Sequence, residues 1–138
     1  MKRQDKLTVE RYKKQLDLIA ASSAINPYET DKERKEAIER AKKDFAFMVQ
    51  RYFPHYATSV TPAFHIDFTE KVRKNQTFKG FAEWGRALSK SVVNDVLLPF
   101  WLWINGEPVY VVLVGNSGDR GKQLLEDIRA EFEANPQI

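Results

Sequence analysis

Apolar residues recur at helical spacing through the first third of the chain. Leu7, Tyr12, Leu16 and Ile19 or Ala20 follow a period near 3.6, which predicts a helix. The stretch from Ser22 to Pro27 breaks it. A second helix is expected from Thr30 or Asp31, because Thr30 with Glu33 three residues later makes a capping box. Its apolar stripe is Ala37, Ile38, Ala41, Phe45, Met48 and Val49, and Pro54 ends it. Residues 53–63 contain Pro54 and Pro62 and read as a loop. Phe64, Phe68 and Val72 then mark one side of a short helix over 64–74.

The pattern changes in the second half. TFKGFAEW (77–84) is short and aromatic and is expected as a strand. SVVNDVLLPFWLWI (91–104) predicts a helix with Pro99 inside it. PVYVVLVG (108–115) is an unbroken β-branched run of the kind buried on both faces of a parallel sheet. NSGDRG (116–121) is a turn. KQLLEDIRAEFEA (122–134) is amphipathic, with Leu124, Leu125, Ile128 and Phe132 in register, and Asn135-Pro136 ends it. Strand, loop, helix, strand, loop, helix is the order of an α/β unit with a right-handed crossover. The expected fold class is α/β: a helical N-terminal region over 1–54, then a partial parallel sheet over 55–138.

Composition narrows the chemistry. A chain of 138 residues suffices for one domain, and 43% apolar with 30% charged residues is globular rather than disordered. The absence of cysteine excludes disulfides, thiolate metal sites and cysteine nucleophiles. His55 and His65 are the two histidines, and no metal-ligand spacing surrounds them. A hydrolase built on His55 or His65 with Asp67 has no nucleophile motif in support. The N-terminus MKRQDKLTVERYKK lacks the apolar centre of a secretory signal, and VLLPFWLWI (96–104) is far short of a membrane span. A cytoplasmic protein without a membrane partner is expected. Residues 1–51 carry 13 Lys and Arg against 9 Asp and Glu. Such an arm suits nucleic acid or another acidic surface, or is an ordinary solvated helix face with interspersed signs.

The stretch GRALSKSV (85–92) carries the candidate chemistry. A phosphate loop reads GxxxxGK[ST] between a strand and a helix. Placed on Lys90 and Ser91, it asks for glycine at 84 and 89, where Trp84 and Ser89 stand. The context still fits, with an aromatic segment before and an apolar helix after. Backbone N–H groups at a helix start can point at a phosphate. Lys90 is placed to reach β- and γ-phosphates, and Ser91 offers a hydroxyl for Mg²⁺. The other reading is an ordinary helix start, with Ser89 as N-cap and Lys90 in solvent.

From about residue 45 onward the order of segments resembles the N-terminal half of the ATPase domain of bacteriophage large terminase subunits, the DNA-packaging motors of Mu-like phages and prophages. FMVQRYFPHY is like the segment before the ATPase core, and PAFHIDFTEKV is like the stretch just before its first strand. GRALSKSV looks like the family's deviant phosphate loop. PVYVVLVGNSGDRGKQLLEDIRAEFEANPQI is similar to the strand and helix that follow, with the helix ending in Glu-x-Asn-Pro. The resemblance implies the first part of a P-loop NTPase-like parallel sheet and ATP with Mg²⁺ as cofactors. It implies that Lys90 contacts the β- and γ-phosphates and that Ser91 ligates Mg²⁺. Arg86 stands where the family's loop arginine acts on the γ-phosphate, which makes Arg86 and Lys90 the implied catalytic residues. Gly85, Arg86, Ala87, Leu88 and Ser89 would supply backbone donors, and His65 would lie near the base. Double-stranded DNA, a small terminase subunit and a portal are the implied partners, in the cytoplasm of a bacterial host.

The sequence also departs from that family. The acidic Mg²⁺ ligand and the carboxylate that activates water would follow four apolar residues as Asp-Glu, but YVVLVGNS ends its apolar run in Gly-Asn. The C-terminal nuclease domain is missing as well. The chain is expected to be the ATP-binding front part of such a motor, inactive in hydrolysis alone. Exposed sheet edges are expected to favour self-association. The alternative is a small basic helical module that binds nucleic acid or acts as an adaptor, with no nucleotide site. The aromatics Phe81, Trp84, Phe100, Trp101 and Trp103 are either core or base-stacking platforms. Trp101 and Trp103 fall on different faces of a helix, so one of them is expected at the surface.

Overall fold

The computed structural model describes residues 3–23, 25–75, 77–107 and 110–138. Its regular elements are all helical: α1 (Arg3–Ser22), α2 (Asp31–Lys43), α3 (Phe45–Tyr52), α4 (Ala63–Lys74), a π-helical stretch (Val92–Leu97) running into α5 (Leu98–Ile104), and α6 (Gly118–Ala134). None of these helices is long and apolar enough to cross a membrane.

The N-terminal helices start where the sequence signals them. Thr30 accepts from the Glu33 amide while the Glu33 carboxylate accepts from the Thr30 amide, so the capping box forms and α2 begins at Asp31. The single helix expected after it is in fact two. Asp44 adopts an extended backbone, ends α2, and caps α3 by accepting from the Phe47 amide at 2.9 Å. Glu29 is clamped by both oxygens to Arg51, at 2.6 and 2.7 Å, which ties the loop before α2 to α3.

The core is built by α2, α3, the π-helical stretch and α5. Phe45, Met48, Val49 and Phe53 meet Val93, Leu97, Phe100 and Trp101, joining residues on both sides of position 54 in one cluster. Trp101 is fully buried, packs edge-on to Phe45 at 5.1 Å, and donates its indole N–H to the Ala41 carbonyl at 2.9 Å. Burial of side chains of this size contributes roughly 1.5–3 kcal/mol each. Trp103 is half exposed, so the two tryptophans do occupy different faces. Pro99 explains the widened helix before it. Proline offers no N–H to the carbonyl four residues back and crowds it, and a π-type turn accommodates both effects. Helix α6 lies along α1 through Tyr12–Glu133, Arg11–Glu126 and Gln15–Asp127 contacts.

The expected α/β fold with a parallel sheet is overturned, because the described residues contain helices and no strand. Among the described residues, neither stretch read as a strand pairs with another segment. Residues 77–84 dock on α4, with Phe78 and Trp84 against Phe68 at 6.0 and 5.4 Å. Residues 110–113 line an apolar cavity of about 530 Å³ shared with α5 and α6. Pro108 and Val109, the first two residues of that second expected strand, lie outside the described residues. The helix between the two stretches would have to serve as a crossover lying on a sheet. It is instead sunk into the helical core. A β-branched run marks a segment that suits a sheet, and the ladder forms only where a neighbouring strand supplies the partner groups. Tyr110, Val112 and Val114 accordingly point apolar side chains to solvent.

Candidate functional site

The loop 85–91 follows the irregular segment 78–84 and enters the helical run that continues to residue 104. Trp84 anchors its start, packed against Phe64, His65 and Phe68 at 5.2, 4.6 and 5.4 Å. Ala87 and Ser89 have φ of 64° and 54°, in the left-handed region. Each such residue costs a non-glycine side chain roughly 1–2 kcal/mol. Leu88 sits between them. The first helical hydrogen bond follows at once, from the Val93 amide to the Ser89 carbonyl at 2.9 Å.

This geometry separates the two readings of Ser89. A helix N-cap has extended backbone and a side chain that accepts from the first turn. Ser89 has neither, since its φ is positive and its hydroxyl caps no amide. A left-handed residue just ahead of a helix is instead what a phosphate loop places at its second glycine. Alternating left-handed positions turn successive N–H groups toward one concavity, the arrangement that attracts an anion.

All of residues 85–91 line one open hollow of about 440 Å³, bounded by Trp84 and Val92. Arg86, Lys90 and Ser91 are exposed, and their side chains have no hydrogen-bond or ion-pair partner among the described residues. Two cations without counter-charge therefore flank the concavity. For Mg²⁺ the loop itself offers the Ser91 hydroxyl. Among the described residues no three His, Asp or Glu side chains group together to hold a metal ion.

His65 does not line this hollow. It sits behind the loop on α4, 6% exposed, and its Nε2 lies 3.0 Å from the Leu88 carbonyl. A smaller cavity of about 110 Å³ separates that side of the loop from residues 56–62. The sequence alone does not reveal the His65–Leu88 link, because the partners are 23 residues apart and follow no period. The other histidine is also engaged. His55 meets Glu131 in the interior at 2.7 Å, and no hydroxyl nucleophile pairs with either ring among the described residues.

Farther along the π-helical stretch, Asp95 is half buried. Desolvation pushes its carboxyl above the usual range, with Arg120 opposing and Asp127 adding to the shift. The basic helices carry Lys13, Lys14 and Lys43 exposed to solvent, while Lys42 is paired with Glu39 at 2.6 Å. Comparison with known protein families, curated proteins and solved structures finds no match to this chain.

Proposed function

We propose that the loop 85–91 grips the phosphates of ATP, and that the chain is the ATP-binding part of a DNA-packaging motor of the large-terminase type. The observation that carries the reading is the left-handed pair Ala87 and Ser89 directly ahead of Lys90 and Ser91. Backbone strain of this kind clusters at binding sites. The uncompensated cations of Arg86 and Lys90 add to it.

In this reading Lys90 sits on the β- and γ-phosphates, and Arg86 faces the γ-phosphate. Ser91 would offer its hydroxyl to Mg²⁺, which when bound would offset charge on the phosphates. Amides of the loop orient the chain of phosphates along the helix axis. Among the described residues no cluster of acidic side chains stands ready for the metal, and in this reading the chain holds nucleotide without turning it over. Double-stranded DNA, a small terminase subunit and a portal are the partners that such a motor would meet.

The test is Mg²⁺-ATP binding by calorimetry to the parent and to Lys90→Ala. A charge-assisted contact of this kind is worth roughly tenfold to a hundredfold in affinity. Saturable binding that weakens at least about tenfold in the variant is the expected result. Equal affinity in both proteins would sink the reading. Steeply salt-dependent DNA binding, indifferent to Lys90→Ala and weakened by changes at Lys13, Lys14, Lys42 or Lys43, would point to a basic binding module instead.

A further inference from the structure

We infer that His65 is a positioning residue for the phosphate loop: its Nε2–H donates to the Leu88 carbonyl and holds Ala87 and Ser89 in the left-handed conformation that an anion requires. The inference rests on the phosphate-loop reading above and names the residue that keeps that loop in shape.

Three observations converge on His65. The loop is strained at the two residues flanking Leu88 and is therefore held by something outside itself. Within residues 85–89, two carbonyls are tied by hydrogen bonds among the described residues. One bond is the helix's own, from the Val93 amide to Ser89. The other comes from His65 to Leu88, and it alone links the loop to another element. His65 is in turn immobilised. Its ring lies 4.6 Å from both Phe64 and Trp84, and its own carbonyl accepts from the Thr69 hydroxyl at 2.9 Å.

The chemistry fixes the proton. A carbonyl only accepts, so Nε2 must carry hydrogen. With the donor in place the Leu88 carbonyl is held toward α4, on the side away from the hollow that residues 85–91 line. Without it, Ala87 and Ser89 relax toward ordinary backbone angles and the concavity opens. His65 acts through Leu88 and touches no phosphate.

The experiment uses the full chain, labelled with ¹⁵N, and inorganic pyrophosphate as the probe. Parent, His65→Phe, His65→Gln and the triple variant His65→Phe with Ala87→Gly and Ser89→Gly are titrated. The amide shifts of residues 87–91 are followed. The parent is expected to saturate. His65→Phe keeps the ring packing and loses the donor, so it should bind about fivefold to tenfold more weakly. His65→Gln restores an N–H and should return to within about threefold of the parent. The glycines adopt positive φ without side-chain cost and should rescue the triple variant. Parent-like binding by His65→Phe overturns the inference and leaves the phosphate-loop reading standing, as does failure of both Gln and the glycines to rescue. A parent that shows no saturable shift overturns the phosphate-loop reading itself. Should His65→Phe not fold, the tautomer decides on the parent alone: a long-range nitrogen–proton spectrum must show His65 protonated at Nε2, and protonation at Nδ1 alone overturns the inference.

Discussion

His55 and Glu131 meet 2.7 Å apart in the interior, with side chains 4% and 1% exposed, although they stand 76 positions apart in the chain. The Glu131 carboxylate also accepts from Asn135 at 3.3 Å, and Asn135 donates to the Tyr52 carbonyl at 2.6 Å. Burial, then the charge of Glu131, push the Tyr56 phenol far above its ordinary range. One carboxylate thus fastens the end of α6 to the turn after α3.

Removing that carboxylate leaves the His55 ring buried without its partner and Asn135 with its bond to the Tyr52 carbonyl alone. Glu131→Ala is expected to cost roughly 3–5 kcal/mol, the range for breaking a buried polar pair from one side. Glu131→Gln retains an acceptor and is expected to cost clearly less. Urea unfolding midpoints at fixed slope check both. Equal losses for the two variants would mean that the shape and the single acceptor kept by glutamine count for nothing, and that the full carboxylate is what holds this position.

Trp101 and Trp103 give a contrast within one helix. Trp101 is fully buried, bonded to Ala41 and beneath the Arg73 guanidinium at 5.0 Å, whereas Trp103 is half exposed beside Phe132. Trp101→Ala is expected to cost roughly 3–5 kcal/mol, and Trp103→Ala well under half of that. Thermal unfolding of the two variants measures the difference. Similar losses would place both residues in the core and contradict the burial pattern.

What the sequence made legible follows from which forces are local. The capping box at Thr30 and Glu33 and the 3.6 period of the first helices are local signals, and both are found in the structure. The break at Asp44 was equally local, since an aspartate can cap, but a continuous apolar stripe through Phe45 hid it. The run 110–115 failed as a strand because pairing is decided by a partner elsewhere, which composition does not record. In α6 the apolar set Leu125 and Phe132 is half exposed while Ala130 and Glu131 are buried. A buried glutamate with its own partners overrides the hydrophobic stripe. The candidate site was legible as the segment 85–91, but its backbone shape was not. Ala87 and Ser89 carry side chains, so nothing in their identity announces a positive φ.

That mismatch between residue and backbone can be measured. Ser89 has φ of 54° and its hydroxyl caps nothing, so glycine there relieves strain without losing a bond. Ser89→Gly is expected to stabilise the fold by about 0.5–1 kcal/mol, partly offset by the freedom glycine gains in the unfolded chain. Chemical denaturation reads the change. A clear loss of stability would show that the Ser89 side chain contributes in a way its surroundings do not indicate.

Asp95 supplies the dependence on pH. Desolvation is the largest cause of its raised carboxyl value, ahead of Arg120, which opposes it, and Asp127, which adds to it. The folded state therefore holds the proton more tightly than the unfolded chain does. The stability linked to this group is fully present below its ordinary value of 3.8 and is lost as pH rises through the raised folded value. At neutral pH the ionised carboxylate is a net cost, and Asp95→Asn should raise the melting temperature by a few degrees at most. The gain should shrink as the pH is brought down through the raised value toward 3.8, because the parent then folds with Asp95 neutral as well. Paired melting curves of parent and variant across that range test the sign. An asparagine variant less stable than the parent at neutral pH would mean that the attraction of Arg120 outweighs desolvation, and that the charge is held in place by a working ion pair.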